Sequence, residues 1–182
     1  MSHIELRRPD HPLHWLRVYR LYLAAFPRAE RKPFGIIMKM HRSGRTDVWR
    51  ILRGGRFAGF AATVNGSDLI LLDYLAIEKR SRGQGVGSAA MAALQRVYAD
   101  KGFFVEIEST KENAPNRAER ENRKRFYQAA GMEELGVRAG VFGVRMELLG
   151  SRCSLDFEGY RAFYRDHYSP WAAAHLTQPD DL

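Results

Sequence analysis

The sequence predicts a mixed α+β domain, a central and mostly antiparallel twisted sheet flanked by helices. Three observations carry that prediction. Apolar runs are separated by the turn dipeptides Gly54-Gly55 and Asn65-Gly66, the chemistry that joins neighbouring antiparallel strands. Farther along, two stretches carry helical periodicity with a strand-like run between them. No low-complexity linker divides the 182 residues, and a chain of that length buries a sizeable core without metals or disulfides. Residues 1–150 read as the domain proper, and residues 151–182 as a C-terminal helical extension packed on it.

Ile4 to Arg7 reads as a short first strand. Pro12 to Phe26 follows as a helix, with Leu13, Leu16, Tyr19, Leu21 and Leu23 at mixed three- and four-residue spacings, stopped by Pro27. Phe34 to His41 is a second helix behind Pro33. Val48 to Leu52, Arg56 to Val64 and Leu69 to Ile77 read as an antiparallel meander, the last run apolar enough for a central strand. The next helix carries Ala90, Met91, Leu94, Val97 and Tyr98 on one face, and reads as opened by Ser88 and closed by Gly102. Phe103 to Glu108 is a strand, and Glu119 to Ala130 a helix ended by Gly131. Met132 to Val137 and Val141 to Leu148 supply two more strands. Thr110 to Arg117 is a long connection for a strand and a helix, and reads as a lid or as disordered. Phe157 to His167 is a last helix before a polar tail ending Pro179-Asp180-Asp181.

Composition narrows the function classes. Cys153 is the only cysteine, so no intramolecular disulfide forms. Met1 to Asp10 lacks the apolar stretch of a secretory signal, and no run approaches bilayer-spanning length. The chain therefore reads as cytoplasmic, with no membrane partner. A net charge of +8 favours polyanions in general. The densest basic run, Arg117 to Arg125, also contains Glu119 and Glu121 and reads as a solvated helix face. No nucleic-acid-binding motif accompanies it, so nucleic acid is not the expected partner. His11, His14 and His175 lack metal-ligand spacing, and no metal is expected.

The most informative segment is Leu75-Ala76-Ile77-Glu78-Lys79-Arg80-Ser81-Arg82-Gly83-Gln84-Gly85-Val86-Gly87-Ser88. It joins a buried strand to an amphipathic helix. Three glycines at alternate positions let the backbone approach a ligand, and the free N–H groups of the helix start favour an anion. A phosphate ligand follows. The loop is not a nucleotide-binding P-loop, which needs Lys-Ser/Thr after the last glycine where this chain has Ser88-Ala89. It is a poor dinucleotide fingerprint, because the charged run Glu78 to Arg82 separates the strand from the first glycine.

Strand, hydrophobic-x-x-x-x-Arg-Gly-x-Gly-hydrophobic-Gly, then helix resembles the GCN5-related N-acetyltransferase (GNAT) superfamily. A second match is Phe126-Tyr127-Gln128-Ala129-Ala130-Gly131-Met132, in order and at fitting spacing. The resemblance spans residues 4–149, and implies a GNAT-like acyl-CoA N-acyltransferase fold with acetyl-CoA as co-substrate. It implies direct transfer of the acetyl group to a primary amine of a small molecule, amino acid or peptide. By resemblance, backbone N–H groups of Arg82, Gly83, Gln84, Gly85, Val86, Gly87 and Ser88 hold the pyrophosphate. Leu75, Ala76 and Ile77 pair with the pantetheine arm, and the Ile77 N–H polarises the thioester carbonyl. Tyr127 protonates the departing thiolate. An alkylammonium with a pKa of about 10.4 must lose a proton before it attacks. Glu106 and Glu108, two apart on one strand and so on one sheet face, are the candidate bases, with Asp73 and Glu78 as weaker ones. Arg120 stands where many members carry asparagine, and Lys79 where many carry proline.

The connection Phe26-Pro27-Arg28-Ala29-Glu30-Arg31-Lys32-Pro33-Phe34 lies, by the same resemblance, on the acceptor side, and its Phe-Pro-x-x-Glu-Arg pattern resembles a bacterial subgroup. Glu30 is the candidate partner of an acceptor ammonium, between apolar walls Phe26 and Phe34. The plainer reading is local: Pro27 ends one helix, Pro33 starts the next, and Glu30-Arg31 pair nearby. Phe157, Tyr160, Phe163, Tyr164, Tyr168 and Trp171 read as a helix docked on its own domain, with a homodimer contact or a cover over the acceptor groove as the alternatives. The second function class is a non-catalytic acyl-CoA-binding or regulatory module, which keeps the loop and has no turnover.

Overall fold

The structure, a computed structural model, describes residues 3–178, so the tail Pro179–Asp181 lies outside the described residues. They form a mixed α+β fold with six α-helices and eight strands of a mostly antiparallel sheet. The chain divides into two compact units. One comprises the residues up to Asn65 together with Leu72–Ala99, the other Gly66–Leu71 together with Asp100 onward.

In the first unit β1 (Ile4–Arg7) pairs antiparallel with β2 (Thr46–Arg53), which pairs antiparallel with β3 (Arg56–Asn65). Gly54 and Gly55 both have positive φ, 55° and 73°, as a two-residue hairpin turn of matching twist requires. β4 (Leu69–Ile77) contributes its residues from Leu72 onward to this unit. Helix α1 (Pro12–Ala25) starts with proline at its first position and His11 as cap, whose Nδ1 accepts from the Leu13 N–H. Helix α2 (Phe34–Arg42) follows Pro33. Val18 and Tyr22 of α1 and Ile37 of α2 close over Val48, Leu52, Phe57, Phe60, Tyr74 and Ala76 to form one core cluster.

Helix α3 (Val86–Val97) buries Ala90, Met91 and Leu94. Its ends differ from the sequence expectation. Gly85, in the left-handed region, is its N-cap rather than Ser88, and Tyr98 is its C-cap rather than Gly102. The reason for the early stop is a buried polar knot. The Tyr98 hydroxyl donates to Asp47 at 2.9 Å, receives the Trp49 indole N–H at 3.0 Å and bonds Thr63 at 2.8 Å. Asn65 and Arg8 complete the Asp47 shell. Burial above all pushes the Tyr98 hydroxyl up to about 12.

In the second unit β5 (Gly102–Glu108) pairs antiparallel with β7 (Val144–Ser151), which pairs with β6 (Glu133–Val141), which pairs with the two-residue β8 (Leu176–Thr177). The expected break before Val141 is absent. β6 runs through Val141 and turns at Phe142-Gly143, whose φ values are 49° and 83°. A phenylalanine in the left-handed region is uncommon, so this turn has no sequence signature. The register irregularity between Glu134 and Arg138 marks where the sequence reading ended the strand too early. Past helix α5 (Phe157–His167), the stretch read as polar tail contains a short helix α6 (Pro170–Ala174), capped by the Ser169 hydroxyl, and then β8.

The connection ahead of helix α4 (Arg117–Ala129) is tied down, against the expectation of a lid or disorder. Glu147 is 4% exposed, and its Oε1 accepts from the Thr110 N–H at 2.7 Å and from the hydroxyls of Thr110 and Ser109. Its Oε2 pairs with Lys124 at 2.7 Å. Burial pushes this carboxyl up, but the Lys124 and Thr110 hydrogen bonds outweigh it and hold it at about 2. A folded pKa below the unfolded value contributes stability above pH 4.5 that is lost as pH falls toward 2. Glu147→Gln is expected to cost about 2 kcal/mol at pH 7, because Lys124 loses its bond to the buried carboxylate and keeps only Glu134 at 2.8 Å. In urea unfolding, the gap to the wild type should close as pH falls through that window. A gap that stays constant would mean the carboxylate charge contributes nothing.

No helix among the described residues is long and apolar enough to cross a membrane.

Candidate acyl-CoA site

β4 ends at Ile77, and the Glu78 N–H still donates to the Ala58 carbonyl at 2.8 Å, fixing the strand's last residue. A single 3-10 turn, Lys79–Ser81, reverses the chain. Arg82 is extended, with φ −71° and ψ 157°, and Gly83 and Gly85 both take positive φ, 70° and 73°, which side chains with Cβ adopt only under strain. Gly85 then caps α3. The consequence lies in the backbone N–H groups. Those of Gly83, Gln84, Gly85, Val86, Gly87 and Ser88 donate to no acceptor among the described residues, and the next one, on Ala89, makes the first helical bond to the Gly85 carbonyl at 3.0 Å. Six successive free donors at the N-terminus of a twelve-residue helix make a cradle for a diphosphate, with the helix dipole adding to it.

Basic side chains surround the cradle. Gln84 ties one of them to the loop backbone: its Oε1 accepts from the Arg53 side chain, and its Nε2 donates to the Arg80 carbonyl at 2.8 Å. Arg80 itself pairs with Glu78 at 2.7 Å, which occupies that weaker base candidate. Arg82 bends back so that its Nε donates to the Ile77 carbonyl at 3.0 Å, linking the loop to the strand end. Leu75 and Ile77 are half-buried and Ala76 is buried.

The same unit holds Phe26, Glu30 and Phe34, which the resemblance puts on the acceptor side. Phe26 and Phe34 pack against the core cluster beside Tyr22 and Tyr74, with Phe26 and Tyr74 rings 4.9 Å apart. Glu30 is exposed in the 3-10 turn Arg28–Glu30, and its carbonyl, rather than its carboxylate, is what Tyr74 binds at 3.1 Å. Asp73 is engaged by Lys32, whose Nζ reaches both carboxylate oxygens at 2.7 and 2.8 Å. The sequence offered no sign of this pair.

In the second unit Glu106 and Glu108 have different partners. The Glu106 Oε1 accepts from the hydroxyls of Tyr160 and Tyr164, each at 2.8 Å, and Oε2 accepts from Tyr164 at 3.0 Å. Glu108 pairs with Arg120 at 2.9 Å and lies 3.8 Å from Arg123, so the arginine in the family's asparagine position holds a carboxylate. The aromatic residues of α5 thus reach a candidate base, a link that residue spacing could not reveal. Tyr127 is 7% exposed, its ring packs on Phe126, and its hydroxyl has no hydrogen-bond partner among the described residues. Burial, opposed by the Arg123 charge, pushes this hydroxyl up to about 12. A tyrosine so placed is fully protonated at neutral pH, as a proton donor must be. No group of three or more His, Cys, Asp or Glu side chains among the described residues is placed to hold a metal ion.

Residues 15–132 match the family model described as the acetyltransferase (GNAT) family. No curated protein matches the sequence. Among solved structures, a GNAT-family acetyltransferase from Bacteroides thetaiotaomicron superposes with a TM-score of 0.75 at 16% identity, covering 94% of this chain and 98% of that one. An aminoglycoside 6'-N-acetyltransferase complexed with coenzyme A gives 0.67 at 13% identity, over 82% and 96%. The ribosomal-protein-S18-alanine N-acetyltransferase from Escherichia coli gives 0.61 at 17%, over 85% and 96%. At these identities the likeness is one of fold.

Proposed function

Because the chain belongs to the GNAT family of acetyltransferases, we propose that it moves an acetyl group from acetyl-CoA directly to a primary amine. The observation that carries this reading is the run of six free N–H donors from Gly83 to Ser88. Acetyl-CoA, when bound, supplies the thioester. The loop donors hold its pyrophosphate, with Arg82 adding charge, and Leu75 to Ile77 offer strand-edge pairing to the pantetheine arm. The Ile77 N–H donates to the carbonyl oxygen on which negative charge builds as the amine attacks. Glu106 or Glu108 receives the proton that the ammonium must lose, directly or through water. As the new C–N bond forms and the C–S bond breaks, Tyr127 gives its proton to the thiolate.

Calorimetric titration with acetyl-CoA tests the reading at its base. Micromolar binding is expected, weakening as salt rises because the contacts are to phosphate charge. A flat titration sinks the transferase proposal and the binding-module alternative together. Release of free thiol in the presence of an amine then separates those two, since a module without chemistry releases none.

A further inference from the structure

Resting on the transferase reading, the strongest unexplained feature of the first unit is Arg31. Its Nε is fully buried without a hydrogen-bond partner, and the rest of its guanidinium makes no hydrogen bond or ion pair with any described residue. An arginine carries five donors and a fixed charge, and burying one of them unmet is unfavourable unless a ligand meets it.

The backbone around Arg31 is held firmly. The Glu30 carbonyl accepts from the Tyr74 hydroxyl at 3.1 Å, the Lys32 N–H donates to that same hydroxyl at 3.3 Å, and the Lys32 carbonyl accepts from Tyr22 at 2.9 Å. Arg31 therefore sits between two pinned neighbours. Its charge is felt at the Tyr22 hydroxyl, which burial foremost raises and Arg31 opposes. Asp73, the carboxylate that reaches this loop from β4, is already claimed at both oxygens by Lys32. The guanidinium is left charged and unanswered within reach of the Tyr22 hydroxyl.

Position along β4 tells which anion belongs there. The phosphate cradle lies beyond the strand's end at Ile77. Tyr74, which pins the Arg31 segment, lies three residues before that end, about 10 Å back along the strand. On the transferase reading the acceptor lies against the connection from Phe26 to Phe34, and Arg31 belongs to that connection. We propose that Arg31 recognises a carboxylate on the acceptor, so that the amine acetylated by this chain belongs to the class of amino acids and related carboxylate-bearing amines. A guanidinium suits this task because its planar fork meets a carboxylate with two parallel hydrogen bonds.

The test measures thiol release with phenylalanine, methionine, glutamate and lysine, each beside its own carboxamide. At least one acid should exceed its amide by about 10- to 100-fold in kcat/KM, the scale of hydrogen bonds to a charged partner. Arg31→Gln should bring that ratio down to near one. Amides that equal or exceed their acids throughout, or a preference that survives in Arg31→Gln, overturn the proposal. Acetyl-CoA calorimetry on the same wild-type sample keeps the two readings apart. If acetyl-CoA fails to bind, the transferase reading has failed. If it binds and no acid is preferred, only the role of Arg31 has failed. Melting of Arg31→Met supplies an independent check: a side chain without partners can be replaced with no loss, so the variant should melt at or above the wild type. A fall of several degrees would show a structural partner and overturn the proposal.

Discussion

Tyr127→Phe is expected to lower kcat about 100-fold while leaving acetyl-CoA affinity unchanged. General acid catalysis is worth ~10²–10⁴. The low end applies here, because a thiol with a pKa of about 8.5 is a good leaving group even without help. The fold should not suffer, since the hydroxyl has no partner to lose and the ring that packs on Phe126 remains. The wild-type rate should show no loss of the acid form until pH approaches about 12, where this hydroxyl is held. The linkage runs the same way. The folded chain keeps this proton when the unfolded chain, near pH 10, releases it, so its contribution to stability is full below pH 10 and disappears as pH rises toward 12. Tyr127→Phe should lack that alkaline slope. Steady-state kinetics beside calorimetry decides the matter: affinity falling in step with turnover would make Tyr127 a packing residue, and unchanged turnover would remove it from the chemistry.

Gly85→Glu is expected to abolish acetyl-CoA binding, a loss of at least about 1,000-fold. Two effects add. At φ 73° a side chain with Cβ costs about 1–2 kcal/mol, so the cap and its N–H directions are disturbed. A carboxylate about 4 Å from the pyrophosphate then adds repulsion of about 4 kcal/mol at an effective dielectric constant of about 20. Nothing lies within 4 Å of the place a Cβ would take, so the variant has room to fold. Gly85→Ala isolates the backbone effect and should weaken binding about 10-fold. A Gly85→Glu protein that binds as the wild type does would show that the pyrophosphate sits elsewhere.

What the sequence disclosed and what it withheld divide along a physical line. The Gly54-Gly55 turn and the Gly83–Gly85 loop were legible because each rests on backbone conformations that only a few residue types accept, and that preference is local. The apolar face of α3 was legible in part for the same reason, with Ala90, Met91, Leu94 and Tyr98 buried and Val97 exposed. That of α1 was misread: Leu13, Leu16, Tyr19 and Leu23 are exposed, and Val18 and Tyr22 face the core instead. The β6–β7 turn was not legible, because Phe142 takes a glycine's conformation without a glycine's signature. The end of α3 was misread because Tyr98 is fastened by Asp47, 51 residues away. The same distance hid the rest. Lys32 finds Asp73 across 41 residues, Glu147 ties Thr110 across 37, and Tyr160 and Tyr164 find Glu106 across 54 and 58. A pairing of that kind depends on which elements the sheet order brings side by side. Residue type alone cannot announce it.

The clasp of two phenols on Glu106 has a consequence for the boundaries of the working unit. Two hydroxyls hold both carboxylate oxygens, so α5 fixes the orientation of a residue on β5 as well as covering it. Trimming the chain before Phe157 would therefore alter more than bulk. It would free one carboxylate to turn while leaving the loop of six free N–H groups as it is, so on the proposed reading a shortened protein keeps acetyl-CoA affinity and loses rate.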